Sequence, residues 1–286
     1  MIKVDETTVA IQGVAGEMYR RWLLDGDGRW DDLLSVEPVI LGPGADDIYL
    51  DRDRMTRLAP PPDESAIAPA PALDPACIRV GVAPGGRSGW FWGFPAGGRR
   101  AATSAAATVR ISGTVFRDSD DRWTVGQVYL SAALPNERLP QYQAALPTLS
   151  LLPDRVDPDA TELVGLLHRN MGVERLDTLP RRDDIVTIGT DPNEIYEGAT
   201  AYLEVFEPMR AQMEELQSAI HVDVVGGIRA ALTPDGQTGY VVTHLATTVA
   251  GNRLPTMRVG LVFSRLAGRE FRLVCDHHAF PTPHPR

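Results

Sequence analysis

Hydrophobic and polar positions change period along the chain, and the changes mark out its elements. From Asp159 to Leu179 the apolar residues Leu163, Leu166, Leu167 and Met171 fall at helical spacing, with Asp159 as a candidate cap. Asp184 to Gly189 is a short apolar strand, and Asp191-Pro-Asn-Glu194 is a turn fixed by Pro and Asx chemistry. Ile195-Tyr-Glu197 is a second short strand, released by Gly198. Ala199 to Leu216 returns to amphipathic helical spacing. Four long strands follow, about Ala219 to Leu232, Gly239 to Val249, Thr256 to Arg265 and Glu270 to Ala279. Pro234-Asp-Gly236, Gly251-Asn252 and Ala267-Gly268 supply the turns. The predicted order is helix, short hairpin, helix, then a four-strand antiparallel meander. Such a sheet buries one face on helices and offers the other to a partner sheet.

The first half of the chain says much the same. Leu41-Gly-Pro-Gly-Ala-Asp-Asp-Ile-Tyr49 matches Ile188-Gly-Thr-Asp-Pro-Asn-Glu-Ile-Tyr196, and Pro84-Gly-Gly-Arg-Ser-Gly-Trp90 matches Pro234-Asp-Gly-Gln-Thr-Gly-Tyr240. Gly113-Thr-Val-Phe116 likewise matches Gly260-Leu-Val-Phe263. Ordered matches at so long a period predict two tandem domains rather than a solenoid. The fold class expected is α+β, with domains at 1–139 and 158–286 joined by a Pro-bearing linker at 140–157. Leu58 to Pro75 departs from the plan, because Pro60-Pro-Pro62 forbids a helix interior. It is either a lid or a plain connection.

Composition narrows the classes. The 286 residues are 43% hydrophobic and 23% charged, enough for two cored domains. The net charge of -10 argues against nucleic acid and against an anionic membrane surface. No apolar run is long enough to span a bilayer, and the N-terminus lacks a secretory pattern, so a cytoplasmic protein is expected. Cys77 and Cys275, the only cysteines, are read as buried thiols.

The stretch Asp183-Asp-Ile-Val-Thr-Ile-Gly-Thr-Asp-Pro-Asn-Glu-Ile-Tyr-Glu-Gly198, then a helix, then Arg258-Val-Gly-Leu-Val-Phe263 and Asp276-His-His-Ala-Phe-Pro281, resembles the SnoaL-like domains of the nuclear transport factor two-like superfamily. Trp123-Thr-Val-Gly-Gln127 and Ser131-Ala-Ala-Leu-Pro-Asn-Glu137 resemble the same ending in the first half. The resemblance implies two cones, each a curved sheet around helices with a pocket at its open end. Members commonly dimerise through their sheets, so two copies in one chain imply an internal pseudo-dimer, with further homodimerisation open. The superfamily holds polyketide cyclases, ketosteroid isomerases and dehydratases beside binding modules without chemistry, so fold does not settle function.

Alternation puts Tyr240, Val242 and His244 on one strand face, and Val274, Asp276 and His278 on one face of the last strand. By similarity to ketosteroid isomerases both faces turn into the cone. Asp276, His244, His278 and Tyr240 then form an acid–base cluster, walled by Val242 and Val274, that needs no cofactor or metal. The matching residues of the first half are Trp90, Trp92, Phe94, Val128 and Leu130, all apolar. That half is a scaffold or a greasy ligand site, with Trp90 and Trp92 as candidate ligand contacts. The plainer reading of the second cluster is a polar strand end and a satisfied core histidine. Two functions are expected as alternatives: an isomerase, cyclase or dehydratase acting on a small hydrophobic carbonyl or polyketide-like polycycle, or a non-catalytic binding or scaffold module using the same pocket.

Overall fold

The computed structural model describes residues 5–21, 32–52, 77–94, 109–135, 137, 149–171, 185–204, 220–266 and 270–281. The Pro/Ala segment, most of 136–148, the end of the helix expected to reach Leu179, residues 205–216 and the Ala267-Gly268 turn lie outside them.

The first half opens with helix α1 (Glu6–Arg20), whose Ile11, Ala15, Met18 and Tyr19 recur at helical spacing and are buried. Strands β1 (Leu34–Leu41), β2 (Ile48–Tyr49), β3 (Ile78–Val82), β4 (Ser88–Gly93), β5 (Val109–Arg117) and β6 (Trp123–Ala132) follow. They form one sheet in the order β2-β1-β6-β5-β4-β3.

The second half contains β7 (Arg155–Val156), a 3-10 turn (Pro158–Ala160), helix α2 (Thr161–Asn170), β8 (Val186–Ile188) and β9 (Ile195–Glu197). A helical stretch runs over 198–204. After it come β10 (Ile220–Val224), β11 (Arg229–Leu232), β12 (Thr238–Val249), β13 (Asn252–Arg253), β14 (Met257–Ser264) and β15 (Arg272–Ala279). Their main sheet order is β7-β11-β12-β14-β15-β8-β9, with β10 and β13 also paired to β12.

Several expectations are corrected. The sheets are mixed: each short hairpin joins by a parallel pairing, β1 to β6 and β8 to β15. A long stretch of chain separates those partners, so no tight turn forces them antiparallel. The single strand expected over Ala219 to Leu232 breaks at Gly226, whose φ of 80° suits glycine. Its pieces, β10 and β11, pair with opposite ends of β12. Asp159 is not the helix cap; Ala160 holds that place, and Thr161 Oγ1 donates to the Pro158 carbonyl. The end of the expected linker is a strand, since β7 pairs in parallel with β11. Cys275 is buried as expected, but Cys77 is only half-buried.

The two halves pair corresponding strands in corresponding registers once the third sequence match is shifted by one residue. Tyr129 lies opposite Ser112 in the first and His277 opposite Gly260 in the second, so Ser112, not Gly113, takes the place of Gly260. Both sheets slip register at one matching point, between Thr114 and Val115 and between Val262 and Phe263. The extra residue is Gly126 in one case and Val274 in the other.

Each sheet is buried on both sides. One face carries a helix-facing core: Ile11, Met18, Ile40, Phe91, Val128 and Leu130 in the first half, Leu163, Val241, Val259, Leu261, Phe263 and Leu273 in the second. The other faces meet each other. There Val39, Leu41 and Tyr129 pack with Tyr240, Val242 and Ala279, and Trp90 and Trp92 pack with Ile188, Val262, Val274 and Cys275. Each large apolar side chain so buried contributes about 1.5–3 kcal/mol, so the junction is a second core rather than a loose contact.

Candidate functional site

The register of β12, β14 and β15 decides where each candidate points, because residues opposite one another share a sheet face. Val241 lies opposite Leu261, and Leu261 opposite Asp276. Val241 and Leu261 belong to the helix-facing core, so Asp276 faces the helices as well. His278 lies opposite Val259 and shares that side. Tyr240 instead lies opposite Val262, and Val262 opposite Cys275, all on the side turned to the first half.

The four expected catalytic residues therefore do not converge. Asp276 and His278 sit on the helix-facing side, whereas Tyr240 and His244 sit at the junction. The expected ligand contacts move too: Val242 and Val274 pack against the first half, and Trp90 and Trp92 fill the junction from the other side. The cause is a phase error of one residue between strands, which reverses a strand's two faces.

On the helix-facing side, His278 Nε2 lies in close contact with Asp276 Oδ1, an ion pair only when the ring is protonated. The Asp276 side chain is 1% exposed and that of His278 is 14% exposed, so the imidazole is the more accessible member. Thr187 on β8 is the register partner of Asp276. Its Oγ1 is buried and has no hydrogen-bond partner among the described residues. Tyr196 is the register partner of Thr187, and its ring meets that of Tyr202 edge-on at 6.2 Å. The first half has Ile40, Val128 and Leu130 in place of Thr187, Asp276 and His278, all fully buried in apolar surroundings. Among the described residues no group of His, Cys, Asp and Glu side chains is arranged to hold a metal ion.

The junction carries its own polar network. His277 Nδ1 is 2.8 Å from Ser112 Oγ and its Nε2 is 2.7 Å from Ser131 Oγ. Arg258 is fully buried; its Nη1 donates to the Gly42 and Gly44 carbonyls at 2.9 and 2.6 Å, and its Nη2 to that of Ala45. Its Nε donates to His244 Nε2 at 3.3 Å. Arg110 makes the reciprocal reach, donating from Nη1 to the Asp191 carbonyl at 3.1 Å. Burial and the adjacent Arg258 charge press the His244 pKa down to about 3. Burial, with Arg110 and His278 nearby, holds His277 well below the usual range. Both rings are neutral at ordinary pH. Arg110, Arg258 and Thr187 were not singled out from sequence. The usable signal was an arginine as the second residue of a largely apolar strand, once in each half.

Comparison with known proteins gives a match to the SnoaL-like domain family over residues 168–283. No curated protein matches the chain. Among solved structures, a nuclear transport factor 2 (NTF2-like) superfamily protein from Salmonella enterica is 15% identical, covering 43% of this chain and 92% of that one, at a TM-score of 0.36. An NTF2-like protein of unknown function from Pseudomonas putida is 14% identical, covering 42% and 84%, at 0.32. ActVI-ORFA from Streptomyces coelicolor is 15% identical, covering 42% and 92%, at 0.31. No helix among the described residues is long and apolar enough to cross a membrane.

Proposed function

We propose that the second half is a cofactor-independent acid–base site for a small hydrophobic carbonyl or polyketide-like compound, and that the first half is its scaffold. In this reading the halves are copies of one domain, fused as an internal pseudo-dimer. The matched registers and the reciprocal reach of Arg110 and Arg258 support that part.

One observation carries the chemistry: a carboxylate–imidazole pair lies on the helix-facing side of the second sheet, where the first half has Val128 and Leu130. The contact with Asp276 puts a proton on His278 Nε2, so in the neutral ring Nδ1 holds the lone pair. His278 Nδ1 takes a proton from the carbon next to the carbonyl, and the C–H electrons move onto the carbonyl oxygen. Asp276 stabilises the imidazolium so formed. Return of that proton to the substrate at another carbon completes an isomerisation, and its delivery to a departing hydroxyl completes a dehydration. Thr187 supplies a hydroxyl donor on the same sheet face for the developing oxyanion.

The test is exchange of α-protons of 2-decalone for deuterium in D₂O, followed by NMR. Wild type is expected to accelerate exchange, and His278→Gln to lose most of that acceleration. Equal rates in the two proteins contradict the reading. A second reading, a binding module without chemistry, draws support from Tyr240 and His244 lying on the opposite face of the sheet from Asp276 and His278. Saturable ketone binding with no exchange selects it.

A further inference from the structure

Beyond the helix-facing site, a small solvent-open cleft of about 50 Å³ lies where the linker strand meets both halves. Glu37 lines it from the first half, Arg155 and Asp157 from the linker, and Arg229 and Tyr240 from the second half. Its charges are unevenly engaged. Arg155 is committed to Glu37 and sits 3.6 Å from Asp157. Arg229 is only 8% exposed. It makes no hydrogen bond or ion pair with the described residues, and its Nε is buried without a partner. Its terminal nitrogens are not buried in this way, so they remain open to an acceptor in the cleft, with the Glu37 and Asp157 carboxylates close enough to favour the guanidinium charge. Beside it stands the Tyr240 phenol, pushed up to about 12 by burial and so held as a donor at neutral pH.

We propose that this cleft binds a small carboxylate, gripped by the Arg229 guanidinium and the Tyr240 hydroxyl. A planar monoanion suits the guanidinium fork. Glu37 and Asp157 on the rim repel a dianion, which disfavours phosphate. The first half lacks the site: its matching residues are Arg79 and Trp90, and the Trp90 ring lies so close over Gly81 that no side chain fits there. This inference does not depend on the acid–base reading, since the two sites lie on opposite faces of the second sheet.

The experiment titrates acetate into the full chain at constant ionic strength, following the Nε–Hε resonances of its arginines. One resonance, missing from Arg229→Gln, is expected to move saturably with acetate and not with chloride. Inorganic phosphate is expected to bind at least several-fold more weakly. Tyr240→Phe, which keeps the ring and hence the packing, should weaken acetate several-fold. The assignment is overturned if no arginine resonance of wild type saturates with acetate, if Arg229→Gln responds like wild type, if phosphate binds as well as acetate, or if Tyr240→Phe binds acetate undiminished.

Discussion

Tyr129 and His277 stack across the junction with ring centroids 4.2 Å apart and planes inclined by 29°. They hold corresponding places in the two sheets, as do Ser88 and Thr238, whose hydroxyls meet at 3.0 Å. Contact between corresponding residues is what a two-fold interface produces on its axis. Both contacts join the two sheets across their facing sides.

His277 is the centre of that junction, with both ring nitrogens bonded to serines of the first half. His277→Ala removes the stacked ring and leaves two buried hydroxyls without partners. A loss of about 3–5 kcal/mol is expected from the cavity and the unpaired groups together. Urea unfolding checks it; a loss below about 1 kcal/mol would show that the junction adds little.

Acid should loosen the same junction. His244 and His277 both have folded pKa values below the unfolded value near 6.5. Below that value the unfolded chain takes up protons that the folded chain refuses, so stability falls as pH falls and is full above it. For His244 the loss continues towards pH of about 3. Each histidine adds a slope of about 1.4 kcal/mol per pH unit within its window. Urea midpoints measured from pH 7.5 to 5 should drop, and His277→Gln should remove about one proton from the dependence. An unchanged slope in that variant contradicts the assignment.

Arg258 ties the second half to the β1–β2 turn through the Gly42, Gly44 and Ala45 carbonyls. Arg258→Met leaves those acceptors and His244 Nε2 without their donor, at a cost of about 3–5 kcal/mol. Arg258→Lys recovers only part of it, because one ammonium cannot span the groups a planar guanidinium reaches. Amide exchange of residues 42–48 should quicken in both variants, and most in Arg258→Met. Unchanged protection there would separate the arginine from the turn.

Much of this organisation was legible in the sequence. The repeated turn at Leu41 and Ile188 brackets matching short strands, and the meander turns at Pro234 and Gly251 fall between strands as expected. Pairing between strands was not legible. The first nine residues of β12 are buried on both faces, so Val241 and Val242 are equally apolar and alternation does not tell the helix side from the junction side. The register slip that leaves Val274 over in β15 has no glycine to announce it, unlike Gly126 in the first half. Asp276 and Tyr240 thus share a face by composition but not by register. Arg110 and Arg258 were overlooked because strand-end arginines usually meet solvent; both are buried only because another sheet lies on top.

The central claim is that Asp276 acts with His278 as an acid–base pair. It is tested most directly by the rate of 2-decalone α-proton exchange in Asp276→Asn against wild type, with near-UV circular dichroism confirming equal folding. Asn is nearly isosteric with Asp, so the wall keeps its shape while losing the charge that stabilises the His278 imidazolium. General acid–base groups contribute about 10²–10⁴-fold, and a loss of at least the lower figure with ketone affinity retained is the predicted result. Exchange at the wild-type rate in folded Asp276→Asn would contradict the claim.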